Sequence, residues 1–290
     1  MTGKIPHPLP LALGFALALL FAAPAGAQTG ALEKIRKHGV ITLGYIDGAA
    51  PFSYADENGE PRGYSVDLCR AVADGIRAQL KRPNLKTRWV KLTIQNRLDA
   101  VRRHRVDAEC STTTWTLGRQ KLVDFSLITF VDGASILARA ETNMTRLADY
   151  EGKRIGVISA TTTEKVLHGA LEQRSIHAEI VTVKTRDEGL ALLKESKVDG
   201  FASDRTTLIS LVAKSGAGGV FKLLDEDYSV EPYALVLPRG DYEFRLAVNG
   251  TLARLYRTGE IRPIYDRWLG PLGPPSLLLS AGYYIQSLPE

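Results

Sequence analysis

Short apolar strands and amphipathic helices alternate in two separate runs along this chain, and that pattern restricts it to helix-covered, largely parallel sheets built in two places. In the first run, residues 40–45 read as a strand, and Leu68, Val72, Ile76 and Leu80 recur at helical spacing. Residues 85–92 then read as a strand, 95–105 as a helix and 106–111 as a strand. The second run starts afresh, with strands over 154–159, 177–184 and 200–204 and helices over 161–173 and 186–197. Between the runs, residues 130–140 are extended for long enough to leave one lobe and enter another. A second extended crossing covers 231–238, after which Phe244, Val248, Leu252 and Leu255 mark a helix that returns to the first lobe. The expectation is two α/β lobes joined by a two-stranded hinge. The tail from Pro271, with three prolines in five residues, shows no clear period.

The N-terminus adds an address. Lys4 precedes an uncharged apolar run over residues 9–22, followed by the small-residue triplet Ala25-Gly26-Ala27. The run is short of the roughly 20 apolar residues that span a bilayer, so it reads as a signal peptide cleaved after Ala27. Removing residues 1–27, which hold one Lys and no acid, lowers the formal charge from +5 to +4 and leaves 263 of the 290 residues. Acids and bases are interleaved, as in Lys184-Thr185-Arg186-Asp187-Glu188, which argues against a nucleic-acid partner. The two cysteines, Cys69 and Cys110, can pair across about forty residues in an oxidising compartment or stay as two buried thiols. No second Cys or His stands close to either, so no metal site is expected, and no cofactor motif is present.

Hydroxyls and arginines gather where a strand hands over to a helix or loop, positions that favour anions. One such stretch runs from Cys110 through Ser111, Thr112, Thr113 and Thr114 to Arg119, and another from Ser159 through Thr161 and Thr162 to Glu164. Arg119 can make a bidentate, charge-assisted contact with a carboxylate, with Thr114 adding a hydroxyl. Gly-x-Ser-x-Gly, His-Glu-x-x-His, phosphate-loop and Cys-x-x-Cys motifs are all missing, which leaves no catalytic residue to name.

Gly63-Tyr64-Ser65-Val66-Asp67-Leu68, preceded by Pro51-Phe52-Ser53-Tyr54 and followed by Gly259-Glu260-Ile261 and Ile264-Tyr265-Asp266-Arg267-Trp268, resembles the bacterial extracellular solute-binding proteins, family 3. These are periplasmic receptors for polar amino acids that serve ABC importers. Gln95-Asn96-Arg97, Glu109-Cys110 and Arg119-Gln120-Lys121 resemble the glutamate/aspartate-binding members most. Ser65 departs from the acid usual in the signature. The resemblance implies a two-lobed, type II periplasmic-binding-protein (Venus flytrap) fold. It divides this chain into lobe 1 over 28–134, lobe 2 over 135–233 and a return to lobe 1 over 234–290. It also implies a ligand set of Arg97, Thr112, Thr114, Arg119, Thr161, Thr162 and Asp204.

In that set Arg119, Thr114 and the Thr112 backbone hold the α-carboxylate, Thr162 assists from the other lobe, Asp204 takes the α-ammonium and Arg97 meets a side-chain carboxylate. Ile46 and Ile94 stand where acidic-ligand receptors carry an arginine and a small polar residue, which loosens the step to glutamate or aspartate. The implied protein is a monomer that presents its closed form to a membrane permease. Periplasmic dehydratases share the fold, and Glu164 or Glu231 would be the general acid of that alternative.

Overall fold

The computed structural model describes residues 1–3 and 30–289; apart from its first three residues, the signal segment with its cleavage after Ala27 lies outside the described residues. Among the described residues no helix is long and apolar enough to cross a membrane.

Helix α1 (Ala31–His38), closed by Gly39 in the left-handed region at φ 68°, leads into β1 (Val40–Ile46). A small hairpin of β2 (Tyr54–Ala55) and β3 (Pro61–Arg62) precedes α2 (Tyr64–Gln79). Next come β4 (Lys86–Leu92), α3 (Arg97–Arg102), β5 (Ala108–Glu109) and the one-turn α4 (Leu117–Gln120). The long β6 (Asp124–Asp132) then leaves the first sheet.

The second sheet is built from β7 (Ala134–Arg139), β8 (Arg154–Ile158), β9 (Glu179–Val183), β10 (Gly200–Asp204) and β11 (Phe221–Leu223). Its helices are α5 (Thr162–Gln173), α6 (Arg186–Lys194) and α7 (Arg205–Lys214). Strand β12 (Glu231–Leu237) returns, and α8 (Tyr242–Thr258), α9 (Ile261–Trp268) and α10 (Leu277–Ile285) complete the first lobe.

The strand orders are β4-β1-β5-β12-β6 and β11-β7-β10-β8-β9. In each sheet a parallel trio (β4-β1-β5 and β10-β8-β9) is joined by antiparallel strands, because the crossing segments enter from the opposite direction. Strands β6 and β12 pair along the hinge, with Glu231 opposite Asp132. The strand expected over 106–111 shrinks to two residues. Beyond it the chain turns alongside β12, where Ala234 N–H donates to the Thr113 carbonyl (3.2 Å) and Trp115 N–H to that of Pro232 (2.7 Å).

The family-like residues turn out to be structural. Gly63 opens α2 at φ 127°, and a Cβ there would lie 2.2 Å from the Phe52 carbonyl oxygen, so no other residue fits. Phe52, fully buried, packs edge-on against Tyr64, Phe130 and Tyr233, which ties the first lobe to both hinge strands. Asp67 accepts from Trp268 Nε1 (2.7 Å) and Arg267 (2.9 Å), pinning α9 to α2. Cys69 and Cys110 form a disulfide, Cα atoms 6.2 Å apart, which settles the choice left open by composition. The tail without a period contains α10. Its Leu279 and Tyr283 are buried, and the Tyr283 hydroxyl meets that of Tyr64 (2.6 Å) and donates to the Thr129 carbonyl (3.1 Å).

Candidate ligand-binding cleft

Between the two sheets lies a narrow cleft, lined by Ile46, Ile94, Arg97, Thr112 and Thr114 from the first lobe and by Ile158, Thr161, Thr162, Thr163, Arg186, Ser203 and Asp204 from the second. Six of the seven expected ligand residues therefore line one space. Arg119 does not line it; it reaches the site through Thr114, donating from Nη1 to the Thr114 carbonyl (2.8 Å). Its backbone N–H is capped by Thr116 Oγ1 (3.1 Å), so the one-turn α4 holds the side chain in place.

The hydroxyls divide by role. Thr161 is the N-cap of α5: it accepts from Glu164 N–H (3.1 Å) and donates to the Ile158 carbonyl (2.7 Å). Its proton is thus committed to structure. Thr162 and Thr114, from opposite lobes, approach to 3.1 Å and both donate to Glu231 Oε2, at 2.8 and 2.7 Å. Each hydroxyl has one proton, so Thr114 and Thr162 have only lone pairs left to offer. Glu231 also accepts from Ser229 (2.8 Å) and is 1 % exposed, which makes it a buried link between hinge and both lobes.

Charge is unbalanced at both ends of the cleft. Asp204 ends β10 and starts α7, yet its side chain does not cap that helix; it takes a hydrogen bond from Thr163 (3.3 Å) and lies 3.9 Å from Arg186 Nη2. Burial raises its carboxyl above the ordinary range despite the Arg186 charge, with Glu231 pushing the same way. Asp132, on the facing hinge strand, accepts from Thr206 Oγ1 (3.1 Å) and the Tyr233 hydroxyl (3.2 Å). Burial and the neighbouring Asp204 lift it to about 7. That end thus sets two carboxyls against one cation, Arg186.

At the other end Arg97, 5 % exposed, donates from Nη1 to the Ile94 carbonyl, while its Nε has no partner among the described residues. Burial, reinforced by the like charge of Arg119, lowers it to about 10. Glu109 sits in the same electrostatic group, and burial raises it to about 7 although Arg97 and Arg119 pull it down. No group of acids, histidines or cysteines among the described residues could hold a metal ion.

Arg186, Glu231 and Thr163 were not in the expected ligand set. Arg186 follows the N-cap Thr185 at the start of α6, the same strand-to-helix handover that flagged Thr161. Glu231 carries no such local mark, because its partners lie 69 and 117 residues away.

Residues 41–271 match the model of the bacterial extracellular solute-binding proteins, family 3. The chain is similar to the L-glutamate/L-aspartate-binding protein of Pseudomonas aeruginosa, 33 % identical over 91 % of this chain and 89 % of the relative. It is also similar to the glutamate/aspartate import solute-binding protein of Escherichia coli K12, 30 % identical over 88 % and 84 %. In fold it is similar to an ancestral arginine-binding protein bound to arginine, with TM-score 0.72 and 25 % identity over 80 % of this chain and 99 % of the other. With the two-lobed architecture and the inter-lobe cleft, these likenesses show that the chain belongs to the bacterial extracellular solute-binding proteins, family 3.

Proposed function

We propose that the protein is a periplasmic receptor of an ABC importer that closes its lobes, 28–134 with 234–290 against 135–233, around an acidic amino acid. The observation that carries this is the charge at the cleft: Asp204 in its wall, with Asp132 behind it, sharing one cation, Arg186, and Arg97 in the opposite wall with its Nε unpartnered among the described residues. A zwitterion with a second carboxylate supplies a further cation and an anion, and its desolvation would cost several kcal/mol if either partner were missing. Its α-carboxylate goes to the N–H groups at the start of α5, beside Thr112, Thr161 and Thr162, with the Arg119 charge held behind Thr114. The α-ammonium goes to Asp204 and to Thr114 Oγ1, an acceptor while its own proton is donated to Glu231. The side-chain carboxylate goes to Arg97, with Arg186 on the opposite wall. Relatives named for glutamate and aspartate import support the same ligand class.

The protein acts as a monomer, and its closed form is what the membrane permease reads; no covalent chemistry is needed. Both acids available to a dehydratase are engaged as acceptors: Glu164 takes Ala160 N–H (2.8 Å), and Glu231 takes three hydroxyls. Neither is poised to donate a proton to a substrate.

Thermal-shift titration across the twenty amino acids tests the reading, since a ligand at 100 times its Kd adds about 2.7 kcal/mol of stability. Glutamate or aspartate should give the largest rise in Tm. If no amino acid moves Tm, the receptor reading fails.

A further inference from the structure

Ile46, Ile94 and Arg186 line the amino-acid cleft and also line a second space that adjoins it. These three side chains, two apolar and one an arginine, are thus the partition, or gate, between the two spaces. Ile46 is 5 % exposed and packs with Leu92 and Phe125 in the first lobe, while Ile94 packs against the cores of both lobes. Nothing charged from the first lobe stands at that gate to stop a side chain at the length of glutamate. Arg186 is 7 % exposed, and its Nε has no hydrogen-bond partner among the described residues; its one ion pair, to Asp204, is 3.9 Å long.

Beyond the gate the walls carry Lys91, Lys184 and Lys214 against Asp47 and Asp187. Asp47 is taken by Lys91 (2.7 Å), whereas the side chains of Lys184 and Lys214 make no ion pair among the described residues. The outer chamber is thus net positive, with cations to spare.

We infer that the site takes L-α-amino acids whose side chain is longer than that of glutamate and ends in a carboxylate. This rests on the reading of the cleft as an amino-acid site. The methylenes pass between Ile46 and Ile94, where each one buried contributes about fourfold in affinity. The terminal carboxylate passes Arg186 and comes within the field of Lys184 and Lys214, which outnumber Asp187, the chamber's one acid without an ion pair among the described residues.

Isothermal titration of the purified protein with L-aspartate, L-glutamate, L-2-aminoadipate and L-2-aminopimelate tests it. The expected result is that 2-aminoadipate or 2-aminopimelate binds about tenfold more tightly than glutamate. The exposed pair Lys184→Ala/Lys214→Ala should then narrow that ratio by about tenfold, more so at low salt than at high. Glutamate binding with the longer homologues tenfold weaker overturns this inference and leaves the amino-acid reading intact. Binding of none of the four overturns both.

Discussion

The first lobe presents its binding groups on anchored side chains, whereas the second presents the starts of helices. Arg119 is fixed to the Thr114 carbonyl and Arg97 to that of Ile94, on a lobe whose α2 is stapled by a disulfide to the end of β5. The second lobe offers Thr161, Thr162 and Thr163 at the head of α5, Arg186 at the head of α6 and Asp204 at the head of α7, and has no disulfide among the described residues. A surface organised before the ligand arrives loses less entropy on binding it. The first lobe is thus suited to capture, and the second to select the closed state once the ligand is seated.

The largest test of that contrast is removal of the staple. A disulfide closing 41 residues constrains the unfolded chain by about 4 kcal/mol, so Cys69→Ser/Cys110→Ser should lower unfolding free energy in urea by that order. If it does not, the first lobe is not the preorganised one. Next in size, Arg119→Ala should weaken ligand binding by about 3 kcal/mol, roughly 100-fold in Kd by calorimetry. Thr162→Ala, on the closing lobe, should cost about 1 kcal/mol and appear mainly as a faster off-rate in stopped flow. Equal losses for the two variants would erase the division between capture and closure.

Arg97→Ala sharpens the comparison on the ligand side. It should weaken an acidic amino acid at least tenfold more than a neutral one, and equal losses would remove Arg97 from side-chain recognition.

The smallest effect is on pH. Asp132, facing Asp204, Thr206 and Tyr233, and Glu109, facing Arg97, Arg119 and Thr113, are both raised to about 7 in the fold from ordinary values near 4. Between pH 4 and 7 the native state therefore holds more protons than the unfolded chain, and stability falls as pH rises through that window. Tm without ligand should climb on going from pH 7.5 to 5.5, and Asp132→Asn should flatten the slope. A saturating amino acid should flatten it too, because its ammonium favours the ionised carboxyl and expels the proton. A Tm that drops on acidification would overturn the assignment of both groups.

Much of the cleft was legible because strand-to-helix handovers are local. The rule that marks Thr161 and Thr162 needs only a few neighbouring residues, whereas Arg97 and Asp204 entered the expected set through the family resemblance; six of the seven line the cleft. It does not separate a cap from a contact: Thr161 spends its hydroxyl on α5, and its neighbour Thr162 does not. The helix in the tail escaped because α10 is apolar nearly all round, with Leu277, Leu278, Tyr284 and Ile285 exposed beside buried Leu279 and Tyr283, so it has no amphipathic period.

By itself the sequence determined two helix-covered sheets, a double crossing and the family, because periodicity, glycine stereochemistry and capping act over a few residues. Only the tertiary structure decided that Cys69 meets Cys110 and that Glu231 draws Thr114 and Thr162 together. It alone left Arg97 Nε without a hydrogen-bond partner among the described residues and set Arg186 between the two spaces. Those outcomes depend on burial and on partners dozens to more than a hundred residues apart, and a local pattern carries no record of either.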